Sequence, residues 1–327
     1  MKWRFSLCAL ALGACQPDPI PSQCPPPVHQ GVTAAHGTSH DFVINHFALP
    51  AERTDFAIDL DGDCMPDNQF GVMVGGLVNA EGELQPAVDA SVANGQELFL
   101  LSVTSADATL TNSSAAGVVF ARARKMTNPD FSGNGHFTID ATQPQATLFG
   151  DIQDGRFKSN DPVSTRPPVD LTLELLPFAG VTTPVPLPLH GAHIEFLHTT
   201  ETLTSGEIQG SIKISDVTAT WYSPLAQWLT YLITTDPTNH TQLETALDIG
   251  DGNGGNCTNP DGTFGVPNDN ILSICELSGN DLIANLLVGD VDTFDASGNY
   301  APHHPLQPGT GDSLSVAIGF TAVPATF

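Results

Sequence analysis

The chain has 327 residues, with 36 Asp and Glu against 10 Lys and Arg, and a formal net charge of −26. That balance excludes nucleic acid as a partner, because a phosphate backbone is held by clustered Lys and Arg. The charge is also uneven: Lys213 is the last basic residue, and thirteen acids follow between Ile214 and Phe327. Salt bridges cannot neutralise those acids, so water or metal cations must.

The chain opens with Lys2 and Arg4, then a short apolar run from Phe5 to Ala14. The run is too short to cross a bilayer core of about 30 Å, which needs roughly 20 residues. It has the build of a secretory leader. It ends in Leu12-Gly13-Ala14-Cys15, which resembles the lipobox of bacterial lipoproteins: an aliphatic residue, two small ones, then the cysteine that receives a lipid. The resemblance implies a signal peptide over residues 1–14, acylation of Cys15, and a membrane partner reached through that anchor. Gln16 stands where an aspartate would retain a lipoprotein at the inner membrane, so the same resemblance implies the bacterial outer membrane or cell surface. Residues 15–33 carry Pro17, Pro19, Pro21 and Pro25-Pro26-Pro27. Such a stretch prefers extended conformations and cannot pack a core, so it reads as a tether. Residues 34–327 are then expected to form a single β-rich domain.

Of six cysteines, Cys8 leaves with the leader and Cys15 carries lipid, which leaves Cys24, Cys64, Cys257 and Cys275. An envelope compartment is oxidising, so disulfides are expected. Four cysteines permit three pairings; proximity favours Cys257 with Cys275 and Cys24 with Cys64.

From His40 to about Ser215 the pattern is strand-like. The expected strands are Asp41–Leu49, Phe70–Val78, Glu97–Val103, Gly117–Arg124, Gly135–Asp140, Gln145–Ile152, Val169–Pro177, His190–His198 and Glu207–Ser215. Several alternate, as where Val169, Leu171, Leu173 and Leu175 oppose Asp170, Thr172 and Glu174. Short strands joined by Gly- and Pro-bearing turns predict a mainly β fold, an antiparallel β-sandwich or jelly-roll-like body.

Within this region lies Asp59-Leu60-Asp61-Gly62-Asp63-Cys64-Met65-Pro66-Asp67-Asn68. Carboxylates at loop positions 1, 3, 5 and 9, with the Met65 carbonyl near position 7, can converge on one hard cation. The segment resembles the loops of EF-hand-like and thrombospondin-type-3-like calcium sites. It departs from an EF-hand where Cys64 replaces the turn glycine and Phe70 replaces the bidentate glutamate. A strand-associated calcium loop is therefore expected; the plainer alternative is a polar turn.

Residues 216–289 form an expected helical insertion. Ser223-Pro224 reads as a helix start, followed by Leu225, Trp228, Leu229, Leu232 and Ile233 on one face. Asn239, with Gln242 in the capping-box position, starts a second helix through about Leu247. Asp269 starts a third through about Leu277, and Asn280 caps a fourth that stops at Gly289. Two looser acidic clusters accompany these helices: Asp248, Asp251, Asn253, Asn256, Asp261 and Asp269 between the second and the third, and Asp290, Asp292 and Asp295 after the fourth. Both are further candidates for calcium. From Ser313 onward the chain alternates again, and this last strand is expected to return to the main sheet.

Eleven histidines are present, and His303-His304 form a pair. Their spacings do not suggest a shared metal, so they read as polar surface or cross-strand groups. Gly311-Asp312-Ser313-Leu314 spells an esterase nucleophile motif, but no histidine follows to act as base, so it carries no catalytic reading.

Together, Asp59–Gly71, Asp290-Val291-Asp292 and Asp312–Phe320 resemble a group of bacterial outer-membrane lipoproteins with no assigned activity. The resemblance implies class and location; with the acidic loops, the expected function is that of an envelope-anchored calcium-binding lipoprotein with a binding, adhesive or structural role. Its partner would be an extracellular protein or a glycan. The alternative is a surface hydrolase or glycan-processing enzyme on the same β body. No motif supports catalysis, so the enzyme reading is the weaker of the two.

Overall fold

The computed structural model describes residues 34–75, 84–160, 168–176, 181, 185–199, 201–248, 269–295, 297, 299–305 and 309–327. The leader, Cys15, the tether, Cys24, Asp251, Asn253, Asn256, Cys257 and Asp261 lie outside them.

Eight strands form a closed antiparallel ring: β1 (Thr38–Ala48), β2 (Phe99–Ser105), β3 (Ser113–Arg122), β5 (Ala146–Gln153), β6 (Arg156–Ser159), β8 (Val185–Thr199), β9 (Thr202–Lys213) and β12 (Ser313–Thr326). The mainly β, antiparallel body expected from the alternation is present. Its sheet is a barrel, however, because β12 pairs with β9 on one side and β1 on the other. A sandwich or jelly roll would leave edges there; closure removes them. The last strand thus returns to the main sheet, as its alternation suggests.

Side chains fill the ring. Phe99, Leu101 and Val103 alternate inward from β2 and meet Phe47 and Phe120, with Phe47 and Phe99 edge-to-face at 5.6 Å. Across the barrel Phe157 and Phe196 stack at 5.0 Å. An eight-stranded barrel is just wide enough for such filling, so the interior is a packed core. The opposite parity, Leu98, Leu100 and Val43, is also buried, in a second cluster with Phe137 and Ala325. There β4 (Gly135–His136) joins the end of β12 in parallel, a much shorter piece than the Gly135–Asp140 strand expected.

The remaining elements cover the outside and one end. The strand β7 (Leu171–Leu176) pairs with the first half of β8, off the ring. The hairpin β10 (Asp292–Phe294) and β11 (Tyr300–His303) lies against β8 and β9: Thr293 bonds Ser211 at 3.0 Å, and the Tyr300 ring fills the space over Gly191. Instead of the strand expected over Phe70–Val78, the chain forms α1 (Gln69–Met73), started by the Asn68 side chain accepting from Gly71 N–H. A further helix, α2 (Leu84–Ala93), packs on β1 and β7; its Gln85 bonds Leu49 N–H and the Phe47 carbonyl.

The helical insertion begins earlier than expected. β9 ends at Lys213, and α3 (Ile214–Thr220) runs into α4 (Tyr222–Thr235), so Ser223 is not the cap. Pro224 sits in the first turn, where its missing N–H costs nothing. The apolar face holds: Leu225, Trp228, Leu229, Leu232 and Ile233 are all buried. Next, α5 (Pro237–Leu247) starts two residues before Asn239. Ser273, not Asp269, caps α6 (Ile274–Ser278), in a reciprocal box with Glu276. Asn280 caps α7 (Asp281–Leu286) through bonds from Leu282 and Ile283. That helix ends before Gly289, whose missing Cβ instead admits the Gly311 backbone.

Candidate metal centre

The acidic loop lies between β1 and α1, closed at its base by a bridge between Ile58 and Asp67. It leads directly into a helix, so the site is joined to α1 as well as to strands. Its turn is held by carboxylates accepting from backbone N–H groups. Asp59 accepts from Gly62 and Cys64, Asp61 from Asp63, Asp63 from Met65, and Asp67 from Leu60. Two left-handed residues bend the chain, Gly62 at φ 80° and Cys64 at φ 72°. Cys64 therefore adopts the turn conformation usually given to glycine, an uncommon one for a residue with a Cβ. Cys64 and Cys275 are the two cysteines among the described residues, and both are in the disulfide state. Their expected partners, Cys24 and Cys257, lie outside the described residues.

Carboxylate oxygens of Asp59, Asp61, Asp63 and Asp67 all lie within 4.8 Å of one another. Calcium holds oxygens at about 2.3–2.6 Å, so two ligands on opposite sides of one ion stand about 4.8 Å apart. The cluster fits that span, and its donors are the hard anionic oxygens such an ion prefers. The side chains of Asp61 and Asp67 are almost wholly buried. Burial and the neighbouring carboxylates push Asp67 up to about 8. Burial likewise raises Asp61, against a hydrogen bond from His304. Charged carboxylates this close and this dry repel one another unless protons or a cation compensate.

A histidine joins the group. His304 Nδ1 is 2.8 Å from Asp61 and 3.3 Å from Asp63. Sequence spacing did not single it out; the one signal was a His-His pair in the stretch without Lys or Arg. Arg53 also reaches the group, 3.5 Å from both Asp67 and Asp290.

The other candidate ligands do not converge among the described residues. Asp290 is buried and accepts from the Ser315 N–H and hydroxyl. Asp292 accepts from Asp312 N–H and faces His303. Asp295 ties a turn through Ser297 and Asn299. Each carboxylate satisfies a different backbone donor, so the spacing that suggested a second calcium loop instead reflects three separate anchors. Asp248 accepts from Asn270 N–H. The Ser313 hydroxyl is buried and donates to Asp312.

Asn68 and Gln69 fasten the loop to the barrel. The Asn68 amide donates to the Asp55 and Ala317 carbonyls and accepts from Gly71 and Ala317 N–H. Gln69 N–H bonds the Ser315 hydroxyl. Compared with family models, curated proteins and solved structures, the chain matches none. Among the described residues, no helix is long and apolar enough to cross a membrane.

Proposed function

We propose that this chain is an envelope-anchored, calcium-binding lipoprotein whose barrel serves a binding, adhesive or structural role toward an extracellular protein or glycan. The observation that carries the calcium reading is the convergence of Asp59, Asp61, Asp63 and Asp67 within 4.8 Å. These four would hold the ion, with the Met65 carbonyl as a further oxygen. The ion would neutralise carboxylates that otherwise repel and would brace the loop against α1 and β12. The acylated Cys15 supplies the address, at the outer membrane or cell surface. Pairing of Cys24 with Cys64 would clip the tether to the calcium loop, and pairing of Cys257 with Cys275 would clip the acidic segment ahead of α6.

A cation bound only by the folded chain stabilises it by mass action. The melting temperature is therefore expected to fall in EDTA and to recover with added calcium, and Asp61→Asn should remove the response. A melt indifferent to both EDTA and calcium would overturn the calcium reading. Labelled fatty acid should be incorporated into the native chain and not into Cys15→Ala; equal labelling of the two would overturn the anchor.

A further inference from the structure

We propose that Glu97, Arg122 and Glu174 form a proton-operated latch that fastens the strap β7 over one end of the barrel. Arg122 is the last residue of β3, opposite Phe99, and Glu97 stands just before β2. Both therefore sit at the same rim. The Arg122 guanidinium holds Glu97 through Nη2 at 2.9 Å and Glu174 of β7 through Nη1. Glu97 is 3% exposed and Arg122 11%. Beneath them a small cleft is lined by Phe99, Phe120 and Leu171, so the strap covers core aromatic rings.

Two carboxylates share one guanidinium, so the ionised triad carries a net negative charge in a dry place. The charged groups facing Glu97 are Arg122 and Lys125 from the β3 side and Glu174 from β7. Burial first, then Glu174, pushes Glu97 up to about 7, against Arg122 and Lys125. Below that pH Glu97 holds its proton, and Arg122 is committed to Glu174. Above it the proton passes to solvent. Glu97 then competes for Arg122, repels Glu174 and favours hydration of the rim. The strap is consequently tight in acid and loosened in base. Lifting β7 would hydrate Glu97 and remove Glu174, lowering the proton affinity of Glu97. By linkage each unit of that lowering favours the lifted strap about tenfold at high pH.

The strap is one strand paired with β8 and off the ring, which is the kind of unit that opens below the global unfolding energy. Hydrogen exchange of residues 171–176, corrected for the intrinsic pH dependence of exchange, tests the proposal on the full chain at pH 5.5 and 8.5. Protection in β7 is expected to drop about tenfold or more at the higher pH beyond any change in β2 and β3, which report the stability of the whole barrel. Glu97→Gln, a neutral isostere, should hold β7 as protected relative to β2 and β3 at pH 8.5 as at pH 5.5. Glu174→Gln should loosen it at both. Native protection in β7 that is flat with pH overturns the latch by itself, whatever the variants do. So does an excess drop in β7 that persists in Glu97→Gln, or a native drop no larger in β7 than in β2 and β3.

Discussion

Asn68 makes four hydrogen bonds from a position with no exposed surface. It links the acidic loop, the start of α1 and the middle of β12, and no residue of its size offers the same two donors and two acceptors. Asn68→Ala strips partners from the Ala317 backbone inside the protein. Each buried group so orphaned costs about 1–3 kcal/mol, so a loss of about 2–4 kcal/mol is expected in urea unfolding. A loss under about 0.5 kcal/mol would show that the loop is held elsewhere. Gly191 poses a different single-atom test. Its φ is 60°, and a Cβ there would lie 1.9 Å from the Tyr300 ring. Gly191→Ala should therefore cost about 1–3 kcal/mol through overpacking, with recovery in the double variant Gly191→Ala, Tyr300→Ala. If the double variant is no more stable than the single one, backbone strain and not the ring is the cause.

Helices show where sequence periodicity speaks and where it is silent. The face of α4 was legible because five apolar residues recur over the nine positions from Leu225 to Ile233 and all pack inward. The five residues of α1 contain no such repeat. Phe70-Gly71-Val72-Met73 reads as a strand by composition, and only the Asn68 cap and packing on β12 make it a helix. The cap of α6 was missed for a related reason. Asp269 is an equally good cap by residue type, but it closes a turn on Ile271, while Ser273 has Glu276 three residues on to complete the box. Ser273→Ala should cost about 1 kcal/mol, and Asp269→Ala markedly less; the reverse order in paired chemical melts would overturn this assignment. In the acidic loop, four ligands were legible because they lie on one short turn. His304 was not, because it comes from a segment 243 positions from Asp61, and local spacing carries no information about such a contact.

Closure of the barrel belongs to the same class of long-range fact. Alternation places Phe42, Ile44, Val316 and Ile318 on inward faces, but nothing local states that β1 and β12 pair. A closed, filled barrel gives the whole molecule one cooperative frame, so charges at its edges register in global stability. Two groups set the pH response with opposite signs. His193 is buried and held neutral at about 4. Its folded value lies below its unfolded one, so the stability it contributes is present above about 6.5 and is lost as pH falls toward 4. Asp67 is the reverse case, about 8 against an ordinary 3.8. The stability it contributes is fully present below 3.8 and is lost as pH rises through 8. Between pH 6.5 and 8.5 the histidine has no further effect and the aspartate still titrates. Glu97 acts in the same direction as Asp67, so the comparison is cleanest in Glu97→Gln. In EDTA that variant should lose stability across this window, with each unit of proton affinity worth about 1.4 kcal/mol. In calcium the ion would compensate the ionised Asp67, and the slope should flatten or reverse. Urea midpoints at the two pH values, with and without calcium, decide it. Equal slopes in EDTA and calcium would mean that the cation does not reach Asp67, and would leave Asp59, Asp61, Asp63 and His304 as the ligand set to test next.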